Sequence, residues 1–143
     1  MRGHNQGWPD CVQTQRVKIV NRLINILLAD DDVNFCRVVR DWVDKEPGLC
    51  VVGEAHNGRQ AVAMAMEMKP DIVLMDVAMP DLNGIDATRE IVDSQVGIRV
   101  IGISSHIEKQ LQLAMLRAGA CSYIVKENVA RDLLPAIRSV SDE

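Results

Sequence analysis

From Leu23 onward, short continuous apolar runs alternate with longer segments in which apolar residues recur at helical spacing. Leu23-Ile24-Asn25-Ile26-Leu27-Leu28-Ala29 is such a run, cut off by Asp30-Asp31-Asp32. It is too short for a typical helix and reads as a buried strand. Phe35, Val38, Val39, Trp42 and Val43 then mark one apolar helix face, which Pro47-Gly48 stops. Leu49 to Ala55, centred on Val51-Val52, predicts a second strand, and Asn57-Gly58 a turn. Ala61, Val62, Ala65 and Met66, with Met68 at the margin, predict a second helix closed by Lys69-Pro70. Asp71-Ile72-Val73-Leu74-Met75 is a third strand with Asp76 at its end. After a loop rich in Pro and Gly, Ile85, Thr88, Ile91 and Val92 predict a third helix. Val96 to Ile103 reads as a fourth strand ending at Ser104-Ser105. Ile107, Leu111, Ala114, Met115 and Ala118 form a fourth helical stripe that Gly119 terminates. Cys121 to Val125 is a fifth strand ending at Lys126, and a last helix takes roughly residues 129–140.

Five β-α units in strict alternation predict an α/β fold: a parallel sheet with helices on both faces and right-handed crossovers. Ligands of such open sheets bind outside the carboxyl ends of the strands. The residues that follow strands 1, 3, 4 and 5 are Asp30/Asp31/Asp32, Asp76, Ser104/Ser105 and Lys126. One rim of the sheet is therefore expected to gather carboxylates, a hydroxyl and an ammonium. Residues 1–22 are polar and lack periodicity, and read as a flexible leader before a folded domain of residues 23–143.

Composition narrows the class. A chain of 143 residues, 48% apolar and 25% charged, suits one domain with a short appendage. No stretch reaches the ~18 consecutive apolar residues of a membrane span, and the N-terminus lacks the apolar run of a secretory signal. A soluble, cytoplasmic protein is expected. The net charge is −4, yet residues 1–23 hold Arg2, Arg16, Lys18 and Arg22 against Asp10 alone. The acidic excess falls on the folded part, which repels phosphate backbones and argues against a nucleic-acid surface there. The cysteines at 11, 36, 50 and 121 form no C-x-x-C pair. Cys36, Cys50 and Cys121 read as buried reduced thiols acting as small hydrophobes. The scattered His4, His56 and His106 suggest no zinc site.

Clustered carboxylates in a cleft repel one another, and a hard divalent cation relieves that cost. With the cation bound, one carboxylate can attack phosphorus, giving an aspartyl phosphate. A Lys ammonium can neutralise the transferring group and a hydroxyl can donate to its oxygens. Asp76, alone at the end of a central strand, is the best nucleophile. Each residue has a structural reading too: an Asp after a strand is commonly a cap or turn residue, and Asp32 or Asn34 suits the cap of the first helix. Four such residues, each at the end of its own strand, favour a shared site.

The sequence resembles receiver domains of bacterial two-component response regulators. The resemblance is carried by Ile26-Leu27-Leu28-Ala29-Asp30-Asp31, Asp76-Val77-Ala78-Met79-Pro80-Asp81-Leu82-Asn83-Gly84, Val100-Ile101-Gly102-Ile103-Ser104, Arg117-Ala118-Gly119-Ala120 and Tyr123-Ile124-Val125-Lys126. It covers about residues 24–140. His106, Leu133-Leu134 and Ala136-Ile137 are most similar to receivers that carry a C-terminal helix-turn-helix of the LuxR/NarL type. The resemblance implies a flavodoxin-like (βα)5 fold with strand order 2-1-3-4-5. It also implies that Asp76 accepts a phosphoryl group from a sensor histidine kinase. Asp31, Asp76, Asp30 and the backbone carbonyl of Ala78 would hold Mg2+, with Mn2+ as an alternative. Lys126 would contact the phosphoryl group, while Ser104 and Tyr123 would switch and change a surface of helix 4, strand 5 and helix 5. The implied partners are the kinase, a second copy of the chain, and DNA only through an output domain outside this chain. Such a receiver is not a turnover enzyme, because the residue it modifies is its own.

Three positions depart from the common pattern. Glu127 stands where many receivers have Pro after a cis peptide, so the chain must hold a costly cis bond or do without. Pro135 falls inside the last helix: it kinks a helix starting near Ala130, or sits harmlessly in the first turn of one starting near Asp132. Ala78 offers no side chain to position a hydrolytic water, which implies slow self-dephosphorylation. Two other classes compete. A Mg2+-dependent aspartyl-phosphate phosphatase would carry an acid at Ala78. A degenerate receiver acting as a constitutive binding module would not need Asp30, Asp31, Asp76, Ser104 and Lys126 intact.

Overall fold

The computed structural model describes residues 23–94, 97–105 and 108–141. Expectations for the leader at 1–22, for His106 and Ile107, and for the start of the fourth strand at Val96 fall outside the described residues. Five strands form one parallel sheet in the order β2-β1-β3-β4-β5: β1 (Ile24–Ala29), β2 (Leu49–Ala55), β3 (Ile72–Asp76), β4 (Arg99–Ser104) and β5 (Ser122–Val125). Between and after them run α1 (Val33–Asp44), α2 (Gly58–Met68), α3 (Gly84–Ser94), α4 (Lys109–Ala118) and α5 (Val129–Ser141). A 3-10 turn, Lys126–Asn128, joins β5 to α5.

The sheet sorts its side chains by parity. Ile26, Leu28, Ile72, Leu74, Ile101 and Ile103 point to the face covered by α1 and α5. Leu27, Ala29, Val73, Met75 and Val100 point to the face covered by α2, α3 and α4. Strands covered on both faces read as unbroken apolar runs, which is why β1 and β3 stood out in the sequence. Each fully buried Leu or Ile contributes about 1.5–3 kcal/mol relative to exposure.

Helix ends follow local chemistry. The Asp32 carboxylate accepts from Phe35 N and caps α1, settling the alternative of Asn34. Asn57 is the N-cap of α2, its Oδ1 accepting from Gln60 N at 2.8 Å, rather than half of a free turn. Gly58 therefore belongs to the helix, and a Cβ there would stand 1.7 Å from the Leu82 carbonyl. Gly119, at φ 119°, closes α4 as its pattern predicted.

Two expectations need correcting, and two alternatives left open are decided. Val38 is 45% exposed and Met68 41% exposed; α1 buries Cys36, Val39 and Val43 instead, and α2 buries the small Ala61 and Ala65. Of the three thiols, only Cys36 is a buried free one. Cys121 is free but exposed, and Cys50, though buried, is not among the free thiols. No described peptide bond is cis, so the chain passes Lys126-Glu127 in the trans form. α5 begins at Val129, which puts Pro135 in its interior.

Candidate functional site

β1 ends in three acids that the backbone sends to different tasks. Asp30 N donates to the Ala55 carbonyl of neighbouring β2 at 2.9 Å. This turns the Asp30 side chain inward, where the residue is 4% exposed. Its Oδ1 accepts from Asp32 N at 2.8 Å, an Asx turn that reverses the chain into α1. Asp32 is spent on capping, and Asp31 between them is exposed.

Asp76, the last residue of β3, is also buried, at 5% exposure. The following loop folds back over it: Val77 N donates to the Ile103 carbonyl at 3.0 Å and Gly84 N to the Val77 carbonyl at 2.7 Å. A Cβ on residue 84 would lie 1.9 Å from the Asp76 carbonyl, so only glycine permits this approach. Ala78, two residues past Asp76, is exposed on the same loop.

These turns bring together residues far apart in the chain. One carboxylate oxygen from each of Asp30, Asp31 and Asp76 lies within 4.8 Å of the others. Lys126, following β5, reaches into the group: its Nζ is 2.8 Å from Asp30 Oδ2 and 3.9 Å from Asp76 Oδ2. The same Nζ sits 4.6 Å above the centre of the Phe35 ring, a cation–π contact. Ser104, which ends β4, is buried. In the sheet register Asp76 pairs with Ile103, so Ser104 lies one step further along the same rim. Tyr123 pairs with Gly102 across β4 and β5 and packs half-buried on the α2–α4 side.

The electrostatics match that crowding. Burial, followed by the charge of Asp30, pushes the Asp76 carboxyl up to about 7, with Lys126 pulling the other way. Burial disfavours the charged Lys126 ammonium, but its bond to Asp30 and the charges of Asp30 and Asp76 outweigh that and raise its pKa overall. Behind the acids, burial and the neighbouring Asp30 drive the Cys36 thiol to about 12, which leaves it inert. Three oxygens of hard carboxylates facing one small volume, two of them buried, make a donor set that suits a divalent cation of the Mg2+ type.

Asp30, Asp31, Asp76 and Lys126, picked from strand ends, thus converge, and Ser104 borders them. Two contributors lay outside that reasoning. Phe35 counts in the sequence as one more apolar residue of α1. His56 was set aside as scattered, yet its Nδ1 lies 3.0 Å from the Asp30 carbonyl.

Residues 26–138 match the response regulator receiver domain. The chain belongs to that family. This receiver is 36% identical over 118 residues to the response regulator protein VraR of Staphylococcus aureus, an alignment covering 82% of the chain and 56% of VraR. It spans, then, about half the length of that curated relative. The response regulator domain of Thermotoga maritima CheB superposes with a TM-score of 0.79 at 36% identity, covering 85% of this receiver and 98% of that domain. A LuxR-family two-component response regulator from Aurantimonas gives 0.78 at 31% identity, covering 82% and 84%. The strand order and the LuxR/NarL-like kinship expected from the sequence both hold. No helix among the described residues is long and apolar enough to cross a membrane.

Proposed function

We propose that the receiver accepts a phosphoryl group on Asp76 from the phosphohistidine of a sensor histidine kinase, and that this modification controls an output. The observation that carries the reading is the convergence of Asp30, Asp31 and Asp76 around the Lys126 ammonium. The cation site would comprise the carboxylates of Asp31, Asp76 and Asp30 with the carbonyl of Ala78. Mg2+, or Mn2+ in its place, when held there, supplies positive charge to the oxygens of the incoming phosphoryl group.

The protein's own residues do the rest. An Asp76 Oδ attacks the donor phosphorus; a P–O bond forms as the P–N bond breaks, and the leaving imidazole keeps the bonding electrons and takes up a proton. The charged form of Asp76 is the nucleophile, so its raised pKa makes the uncharged ground state a competitor. Lys126 already stands between Asp30 and Asp76 and needs only a short shift to meet phosphoryl oxygens. Ser104 would donate its hydroxyl to one of them and Tyr123 would follow inward, changing the surface of α4, β5 and α5. The receiver would thereby act on its own side chain only, in the cytoplasm. Residues 23–143 would form the receiver unit and residues 1–22 a leader to it. Transcription control would run through a DNA-binding domain like those of LuxR-type regulators, and a second copy of the chain is a candidate partner.

Mass spectrometry after incubation with acetyl phosphate and Mg2+ tests this. The protein should gain one phosphoryl group, and Asp76→Asn should gain none. No gain in the unmodified protein, or an equal gain in the variant, rejects the assignment and favours a constitutive binding module.

A further inference from the structure

Building on the phosphoacceptor reading above, we propose that His56 is a positioning residue of the cation pocket: its ring N–H holds the Asp30 carbonyl and thereby fixes the peptide joining Asp30 to Asp31. Nδ1 of His56 is 3.0 Å from that carbonyl oxygen. A carbonyl can only accept, so Nδ1 carries the hydrogen, and Nε2 is left facing Glu54 Oε1 at 3.9 Å.

The ring is itself held from behind. The His56 backbone N–H donates to Gln60 Oε1 at 2.7 Å, and Gln60 N donates to the Asn57 cap at 2.8 Å. The first turn of α2 thus anchors the residue whose ring grips β1. Asp30 N is bonded to the Ala55 carbonyl, so both backbone polar groups of Asp30 are tied to consecutive residues at the end of β2. The other partner of the Asp30 carbonyl is the Cys36 thiol at 3.6 Å, a weak donor. Rotation of the Asp30–Asp31 peptide would swing the exposed Asp31 carboxylate away from buried Asp30 and Asp76. The His56 bond restrains that rotation. Outer partners that orient ligands contribute strongly to metal affinity. The His56 side chain is 42% exposed, so replacing it opens no core cavity and the variants should fold.

The test is calorimetric titration of Mg2+ into the unmodified protein, His56→Leu, His56→Asn and Asp31→Asn, with thermal unfolding of each in EDTA. His56→Leu should bind Mg2+ about threefold to tenfold more weakly. His56→Asn, whose amide N–H can stand where Nδ1 stood, should recover most of that loss. A merely structural histidine would lower the unfolding temperature without separating Leu from Asn in Mg2+ affinity. Unchanged affinity in His56→Leu, or equal weakening in both variants, overturns the inference. If Asp31→Asn binds Mg2+ as the unmodified protein does, the pocket itself is wrong and the inference goes with it.

Discussion

Asp76 is a carboxylate that its surroundings would rather keep neutral. Its folded pKa of about 7 lies above the ordinary 3.8. The stability it contributes is therefore full below the ordinary value and is lost as pH rises towards and through about 7. In EDTA, Asp76→Asn should be the more stable protein at pH 8, by roughly 2–4 kcal/mol, and the difference should shrink as the pH is lowered toward 5. Urea unfolding of both proteins across that range checks this; a gap independent of pH would contradict it. The same residue shows how far sequence reading reaches at this scale. Asp30, Asp31, Asp76, Ser104 and Lys126 were legible because each is a polar group abruptly ending a strand. Phe35 and His56 were not, because an aromatic on an apolar stripe and an isolated histidine look the same whether or not they touch a charged site. Only the approach of α1 to the turn after β5, and of the end of β2 to the end of β1, gives them their partners.

At the scale of elements, the sequence pattern located the five strands and five α-helices of the described residues but not the 3-10 turn at Lys126–Asn128, and the misjudged residues lie on the stripes of α1 and α2. α1 buries Cys36, Val39 and Val43. At about 100° per residue, Val38 stands more than a quarter turn from that stripe, while Phe35 and Trp42 lie between the two and are partly buried. Composition could not decide which of two adjoining valines faces the sheet. Nor could it choose where α5 begins. Because α5 starts at Val129, Pro135 deprives the Arg131 carbonyl of its helical partner, and the proline itself is exposed. Pro135→Ala should restore that bond at little packing cost and stabilise the protein by about 1–3 kcal/mol. A thermal midpoint unchanged or lowered in the variant would show that the helix has adapted around the ring.

For the molecule as a whole, the loop after β3 should set how long the proposed phosphorylated state lasts. Ala78 is exposed two residues beyond Asp76 and has only a methyl group to offer. Without a side chain to orient a water for attack on the phosphoryl group, the modified receiver should decay slowly. Ala78→Asn, which adds an amide able to hold that water, should shorten the lifetime severalfold. Decay of phosphorylated protein followed by intact-mass measurement would show it; a half-life of seconds in the unmodified protein would contradict the premise.

The junction after β5 has a mechanical consequence. Lys126 opens the 3-10 turn directly after Val125, and the turn runs into α5 at Val129 with no coil residue between. The ammonium at the rim and the helix on the far side of Asn128 share one taut length of chain. A pull on the ammonium that outruns the reach of its flexible stem meets no coil residue in which to die out, and passes to the first turn of the final helix.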